Sequence, residues 1–248
     1  MCGRLSQYHG LHEFAAVLNT SPEEATRFSD QPIGRYNVAP STQVALFHQD
    51  DDGLHAEPVV WGWAPHWATG KAPAINARVE TVSTGNYFRS IWKTGRALVP
   101  ADGWYEWKTS PDNPKLKQPY FIRLQGDQPL FFASLGQFPR GGAEARKGDG
   151  FVILTGAADA GLTEVHDRKP LVLLPELARA WVDPATSLAE AEDIARYHVA
   201  LADAFEWFPV SKEVGNVRND YPGVIEVRQA RALCFPAMSS TRRRCMQW

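Results

Sequence analysis

The chain has 248 residues, 44% of them hydrophobic and 22% charged, as expected of a soluble globular chain that can bury its own core. Lys and Arg total 26 against 28 Asp and Glu; the resulting net charge of −2 excludes a globally basic binder and leaves only a local patch for a nucleic acid. No apolar run reaches the roughly 18 residues of a membrane span, and the start lacks the basic-then-apolar layout of a secretory signal.

Cys2, Cys234 and Cys245 show no metal-ligand spacing, so neither a zinc site nor a disulfide frame is expected, and a reduced, cytoplasmic compartment follows. The same reading expects no cofactor, no membrane partner and a monomer.

In chain order, Met1-Cys2-Gly3-Arg4 comes first. Removal of Met1 would leave Cys2 with a free α-amine and a thiol on adjacent carbons. An aldehyde can condense with the amine, and the thiol can then close a five-membered thiazolidine. The amine titrates near ~7.7–8.0 and a free thiol near ~8.5, so both are usable at neutral pH. The competing reading is a disordered chain end whose cysteine is incidental.

Period-two runs of β-branched and aromatic residues predict strands at about 3–8, 44–48, 54–61, 97–99, 104–107, 120–124, 130–138, 151–155, 171–174 and 205–209. Helical periodicity appears at 11–18, 87–92, 175–181 and 188–201, the third beginning with a favourable proline. The stretch 32–40 has too much Gly and Pro for a helix and is expected as an ordered loop anchored by Arg35 and Asn37. Residues 50–53 and 126–127 look like hairpin turns, 110–114 like a longer loop, and 141–148 like a polar hairpin loop. Strands in series without βαβ alternation predict an α+β fold: one domain, residues 1–226, on a largely antiparallel sheet or barrel with short flanking helices. Residues 227–248, with Arg242-Arg243-Arg244, are expected as an appended, mobile tail.

Three further stretches carry chemistry. Trp61-Gly62-Trp63-Ala64-Pro65-His66-Trp67 sets aromatics on a shaped loop suited to stacking on bases, although core packing is the natural reading for at least one of Trp61 and Trp63. Beyond it, alternation through 75–81 would place Asn76, Arg78 and Glu80 on one face of an extended segment. In Ala101-Asp102-Gly103-Trp104-Tyr105-Glu106-Trp107, burial of Glu106 among aromatics would raise its pKa and make it a proton shuttle; the alternative is an edge-strand glutamate facing solvent. In Val165-His166-Asp167-Arg168-Lys169-Pro170, His166 can act as acid, base or donor and the basic pair can meet phosphates.

Taken together with Gly34-Arg35-Tyr36-Asn37-Val38-Ala39-Pro40, Ile75 to Thr81, Val210-Ser211 and Gly215-Asn216-Val217, these motifs resemble the SRAP (SOS response-associated peptidase) family of abasic-site sensors, from residue 1 to about 220. The resemblance implies a sensor of abasic sites in single-stranded DNA. Cys2 would form a Schiff base with the open-chain sugar aldehyde and close it to a thiazolidine, a covalent protein–DNA link that shields the lesion. It implies catalytic roles for Cys2, Asn76, Glu106 and His166. Asn76 would position the N-terminal residue, Glu106 would move protons in sugar ring-opening and in release of the link, and His166 would bond the sugar hydroxyl. It also implies DNA contacts by Arg4, Asn37, Pro40, Trp67, Arg78, Thr155 and Arg168. The family's frequent second tryptophan after Trp67 is Ala68 here, which alters how a paired strand beside the lesion would be met. Two other functions remain open on sequence: a peptidase or amidohydrolase with Cys2 as N-terminal nucleophile, including self-removal of Met1, and a noncovalent reader of single-stranded DNA.

Overall fold

The period-two runs pair as strands, and the two faces of each strand serve different layers. The computed structural model describes residues 2–18, 20–140 and 143–227. One sheet contains β1 (Leu5–Gln7), β2 (Arg35–Val38), β7 (Gly103–Thr109), β8 (Lys117–Leu124) and β13 (Phe205–Pro209), in the order β13-β8-β7-β1-β2 and antiparallel throughout. The other is built on β3 (Gln43–Asp50), β4 (Gly53–Val60), β6 (Arg96–Ala101), β9 (Leu130–Gln137), β10 (Gly150–Ala157) and β11 (Arg168–Pro170), in the order β11-β10-β9-β6-β3-β4. Two short strands join this sheet: β12 (Val172–Leu173) lies beside β9, and β5 (Asn76–Arg78) runs parallel to β10. Every other pairing in it is antiparallel. The described strands form two open sheets, so the expected sheet-or-barrel core resolves to sheets.

Adjacent residues in a strand point to opposite faces. Trp104, Phe132 and Ile153 meet between the sheets with Leu5, Trp61 and Cys2. Their neighbours Phe131 and Leu154 point outward, beneath Phe14 of α1 (Leu11–Val17), Trp181 of α5 (Pro175–Val182) and Ile194 of α6 (Leu188–Tyr197). Tyr105 and Phe121, on the far face of the first sheet, pack with Val210, Val214 and Val224. Full burial of such side chains is worth roughly 1.5–3 kcal/mol each. Three short helices complete the elements: α2 (Pro22–Ala25), α3 (Val79–Val82) and α4 (Arg89–Thr94).

Several expectations change. The ordered loop at 32–40 contains β2, because its partner is β1 some thirty residues earlier. The turn at 126–127 is no hairpin; it carries the chain from β8 in one sheet to β9 in the other, with Gly126 and Asp127 both at positive φ. The extended segment stops at Arg78, and Glu80 lies in α3. The last long helix ends at Tyr197, capped at its start by Ser187 and Glu190 in a reciprocal box. Of the expected tail only Val227 lies within the described residues, and the 141–148 loop is described from Ala143 onward.

Candidate active site

Cys2 leads into the middle of a sheet, since β1 lies between β2 and β7. The amide of Tyr105 donates to the Arg4 carbonyl and that of Asp102 to the Ser6 carbonyl, so the segment after Cys2 is fixed along β7. On its other side β7 lies close against β8 at Gly103, where a Cβ would sit 2.4 Å from the Phe121 ring. Cys2 is fully buried and packs into the layer between the sheets.

Asn76 reaches Cys2 from the second sheet. Its Nδ2 donates to the Cys2 carbonyl at 2.7 Å, while Oδ1 is buried with no hydrogen bond among the described residues. The parallel pairing of β5 with β10 (Asn76 opposite Ile153, Arg78 opposite Thr155) sets this position. Asn76 is half-buried, Ala77 buried and Arg78 exposed, the alternation expected of an extended strand.

Glu106 is buried on β7, at 3% exposure, rather than solvent-facing. Burial pushes its carboxyl up to about 7. Burial likewise raises the Cys2 thiol well above its ordinary value, and the charge of Glu106 raises it further, so the resting thiol is protonated at neutral pH.

His166 follows a 3-10 turn (Ala160–Glu164) and precedes β11. Burial lowers its pKa, so the ring is neutral at pH 7. Its Nδ1 accepts from the Arg168 amide at 3.0 Å and also lies 2.8 Å from the Asp167 carboxylate, contacts that demand opposite proton placements. Asp167 is 86% exposed and its pull is screened, whereas the amide is fixed by the backbone. The neutral ring therefore keeps its proton on Nε2 and can donate with it.

The residues expected on a DNA path fall into two groups. Arg4 and Asn37 face inward. Arg4 donates to the Asn37 side chain (2.7 Å) and the Val214 carbonyl (2.9 Å) and lies over the Trp107 ring. Asn37 is buried and donates to the carbonyls of Val214, Asn216 and Asn219, which fastens the loop after β13. Thr155 is also buried, its hydroxyl 3.4 Å from the Ala77 carbonyl. Arg168 is gripped by Glu80 through both carboxylate oxygens (2.5 and 3.0 Å) and by the Thr155 carbonyl (2.7 Å). Outward-facing are Arg78, half-buried Pro40 and Trp67, which is 56% exposed; Trp61 and Trp63 are buried. Asp220, which sequence reasoning missed, accepts the amides of Tyr36 and Asn37 at 2.5 and 2.8 Å. A lone aspartate 183 residues from its partner leaves no local signal.

Among the described residues no group of His, Cys, Asp or Glu could hold a metal ion, and no helix is long and apolar enough to cross a membrane.

Residues 1–217 match the family described as SOS response associated peptidase (SRAP). The chain is 46% identical to the abasic site processing protein YedK of Escherichia coli, over 91% of this chain and 99% of that one. It is 25% identical to the abasic site processing protein HMCES of Xenopus tropicalis, over 89% of this chain and 74% of that one. A phage-related protein of Bordetella bronchiseptica, solved by X-ray crystallography, superposes with a TM-score of 0.73 at 40% identity, over 89% of this chain and all of that one. A Bacteroides thetaiotaomicron protein superposes at 0.70 with 20% identity over 92% of this chain and all of that one, a likeness of fold alone.

Proposed function

Because the chain belongs to the SOS response associated peptidase family, we propose that it processes abasic sites in single-stranded DNA by covalent capture on Cys2. The observation that carries this reading is the convergence on Cys2 of the Asn76 amide, at 2.7 Å from its carbonyl, and the buried carboxyl of Glu106.

With Met1 removed, the Cys2 amine adds to the open-chain aldehyde carbon of the abasic sugar. The carbinolamine loses water to give an imine. The thiol then adds to the imine carbon and its proton passes to the nitrogen, closing a thiazolidine with the net loss of one water. Glu106, poised near 7, can both give and take the protons that ring-opening of the sugar and dehydration require. The Nε2–H of His166 is suited to hold a sugar hydroxyl. Asn76 fixes the Cys2 backbone so that the amine and thiol approach one carbon, and exposed Arg78 and Trp67 are suited to phosphate and base. A thiol kept protonated until the imine forms agrees with amine-first addition.

The test is incubation with an oligonucleotide bearing one natural abasic site, followed by boiling and denaturing electrophoresis. A heat-stable shifted band is expected, with an intact mass equal to protein plus DNA minus one water. An identical band from Cys2→Ala would overturn the reading. Catalytic release of product from peptides or amides would favour the hydrolase instead.

A further inference from the structure

Beside the 61–67 loop lies a cleft of about 780 Å3 that contains none of the residues placed around Cys2. Trp63, Trp67, Arg89, Lys93 and Lys147 are among its walls, and no carboxylate lines it. Arg89 and Lys93 are four residues apart on α4, hence on one face and about 6 Å apart along the helix axis. Lys147 faces them from the β9–β10 connection.

These cations are not engaged by the fold. Arg96 donates to three main-chain carbonyls, Arg140 pairs with Asp50, and Arg168 pairs with Glu80. The side chains of Arg89, Lys93 and Lys147 make no hydrogen bond or ion pair among the described residues, and all three residues are exposed. Gathering like charges costs free energy unless an anion offsets it. Trp67 stands at the rim, braced edge-on by Tyr87 at 5.8 Å, which in turn braces Trp63 at 6.0 Å. A supported, exposed aromatic next to unpaired cations is the arrangement that takes an unstacked base and its phosphates.

The loop that walls the cleft is tied to the segment that carries Asn76. Trp63 and Ala74 exchange two backbone hydrogen bonds of 2.9 Å, and Ala74 is two residues before Asn76, about 7 Å along an extended chain. Gly150 lets the loop lie this close to β10, because a Cβ there would come within 2.1 Å of the Gly62 carbonyl.

We propose that this cleft binds the single-stranded nucleic acid flanking the captured residue, with its phosphodiesters on Arg89, Lys93 and Lys147 and a base on Trp67. The proposal rests on the DNA reading above and extends it from the lesion to one flank of the strand.

The full chain would be titrated with labelled single strands carrying a tetrahydrofuran abasic analogue, which has no aldehyde and therefore reports noncovalent binding alone. One flank at a time would be shortened to two nucleotides. For the wild type, shortening one flank is expected to weaken binding about tenfold, and shortening the other to change it little. The Arg89→Ala/Lys93→Ala/Lys147→Ala variant is expected to bind the long strand about tenfold more weakly and to gain nothing from the long flank. Its salt dependence should be flatter by about 2 in slope, three contacts at about 0.7 each. Trp67→Ala should lose part of the same gain. A variant that still gains from the long flank, or wild-type affinity unchanged when that flank is annealed to a complement, would overturn the proposal. The wild-type heat-stable band is the independent control. Its presence without a flank effect sinks only the cleft, and a flank effect without the band sinks only covalent capture.

Discussion

The side-chain amide of Asn76 and the backbone carbonyl of Cys2 meet at 2.7 Å across the gap between two sheets. In the proposed capture reaction, this bond orients the residue whose amine and thiol reach one carbon. Asn76→Ala should leave the fold intact and slow crosslinking about 10- to 100-fold, the equivalent of losing a buried hydrogen bond. Asn76→Asp, which sets a carboxylate against that carbonyl, should be slower still. Single-turnover gel kinetics with an abasic oligonucleotide would measure both.

Separating the two functional groups of Cys2 makes a second prediction. Cys2→Ser keeps the amine and loses the thiol, so borohydride should still trap an imine while the heat-stable band disappears. Comparing reduced and unreduced reactions on one gel is sufficient. A heat-stable band of wild-type yield from Cys2→Ser would exclude thiazolidine closure.

Glu106 should impose opposite demands on stability and activity. Its carboxyl is raised from an ordinary 4.5 to about 7, so between those values the folded state holds more protons than the unfolded state. Stability from this group is therefore full below pH 4.5 and is lost as pH rises through about 7. Glu106→Gln removes that loss and should make the protein more stable at pH 8 by on the order of 2–3 kcal/mol, with little gain at pH 4.5. Crosslinking should slow by roughly 100-fold, and the inflection in rate near pH 7 should vanish. Denaturant melts at the two pH values, with rates across pH 5–9, would check both halves.

His48 is buried with both ring nitrogens lacking a hydrogen bond among the described residues, and burial lowers its pKa to about 4. The folded state therefore binds fewer protons than the unfolded state between pH 4 and 6.5. The stability it contributes is present above 6.5 and is lost as pH falls towards 4. His48→Phe should flatten the acid limb of the stability curve over that window, measured by thermal melts from pH 4 to 7.

Arg168 is a DNA candidate that Glu80 already grips through both oxygens, and this contact in turn holds the Glu80 carboxyl below its ordinary value. Glu80→Gln should free the cation. Affinity for intact single strands is expected to rise several-fold, and the salt dependence to steepen by about 0.7 for one added phosphate contact. Anisotropy titrations at three salt concentrations would show it.

The fold class and the order of the site motifs were legible because they rest on local alternation and on residues that sit beside each other in sequence. Trp104, Tyr105 and Glu106 illustrate this: alternation alone sends Trp104 and Glu106 away from Tyr105, and aromatic neighbours forecast the burial of Glu106. What sequence could not show depends on distant partners. The turn at 126–127 has hairpin chemistry, yet β8 and β9 belong to different sheets. Glu80 continues a period-two pattern but lies in a helix, because Val79 and Val82 turn together into the core beneath α6. Arg4 and Asn37 have the chemistry of phosphate contacts, and only the loop at 214–219 explains why both face inward.

That inward clamp has a consequence for synthesis. Arg4 and Asn37 close on backbone atoms of residues 214–219, more than 170 positions later. On a growing chain this clamp therefore cannot close until almost the whole described sequence has emerged. At translation rates of about 5–20 residues per second, that is about 10–45 s between the emergence of Arg4 and that of its clamp partners. Such separation in sequence also slows folding, since loop closure must precede the contacts that reward it. The closed clamp is thus a property of the finished molecule, and fragments that end before residues 214–219 are born without it.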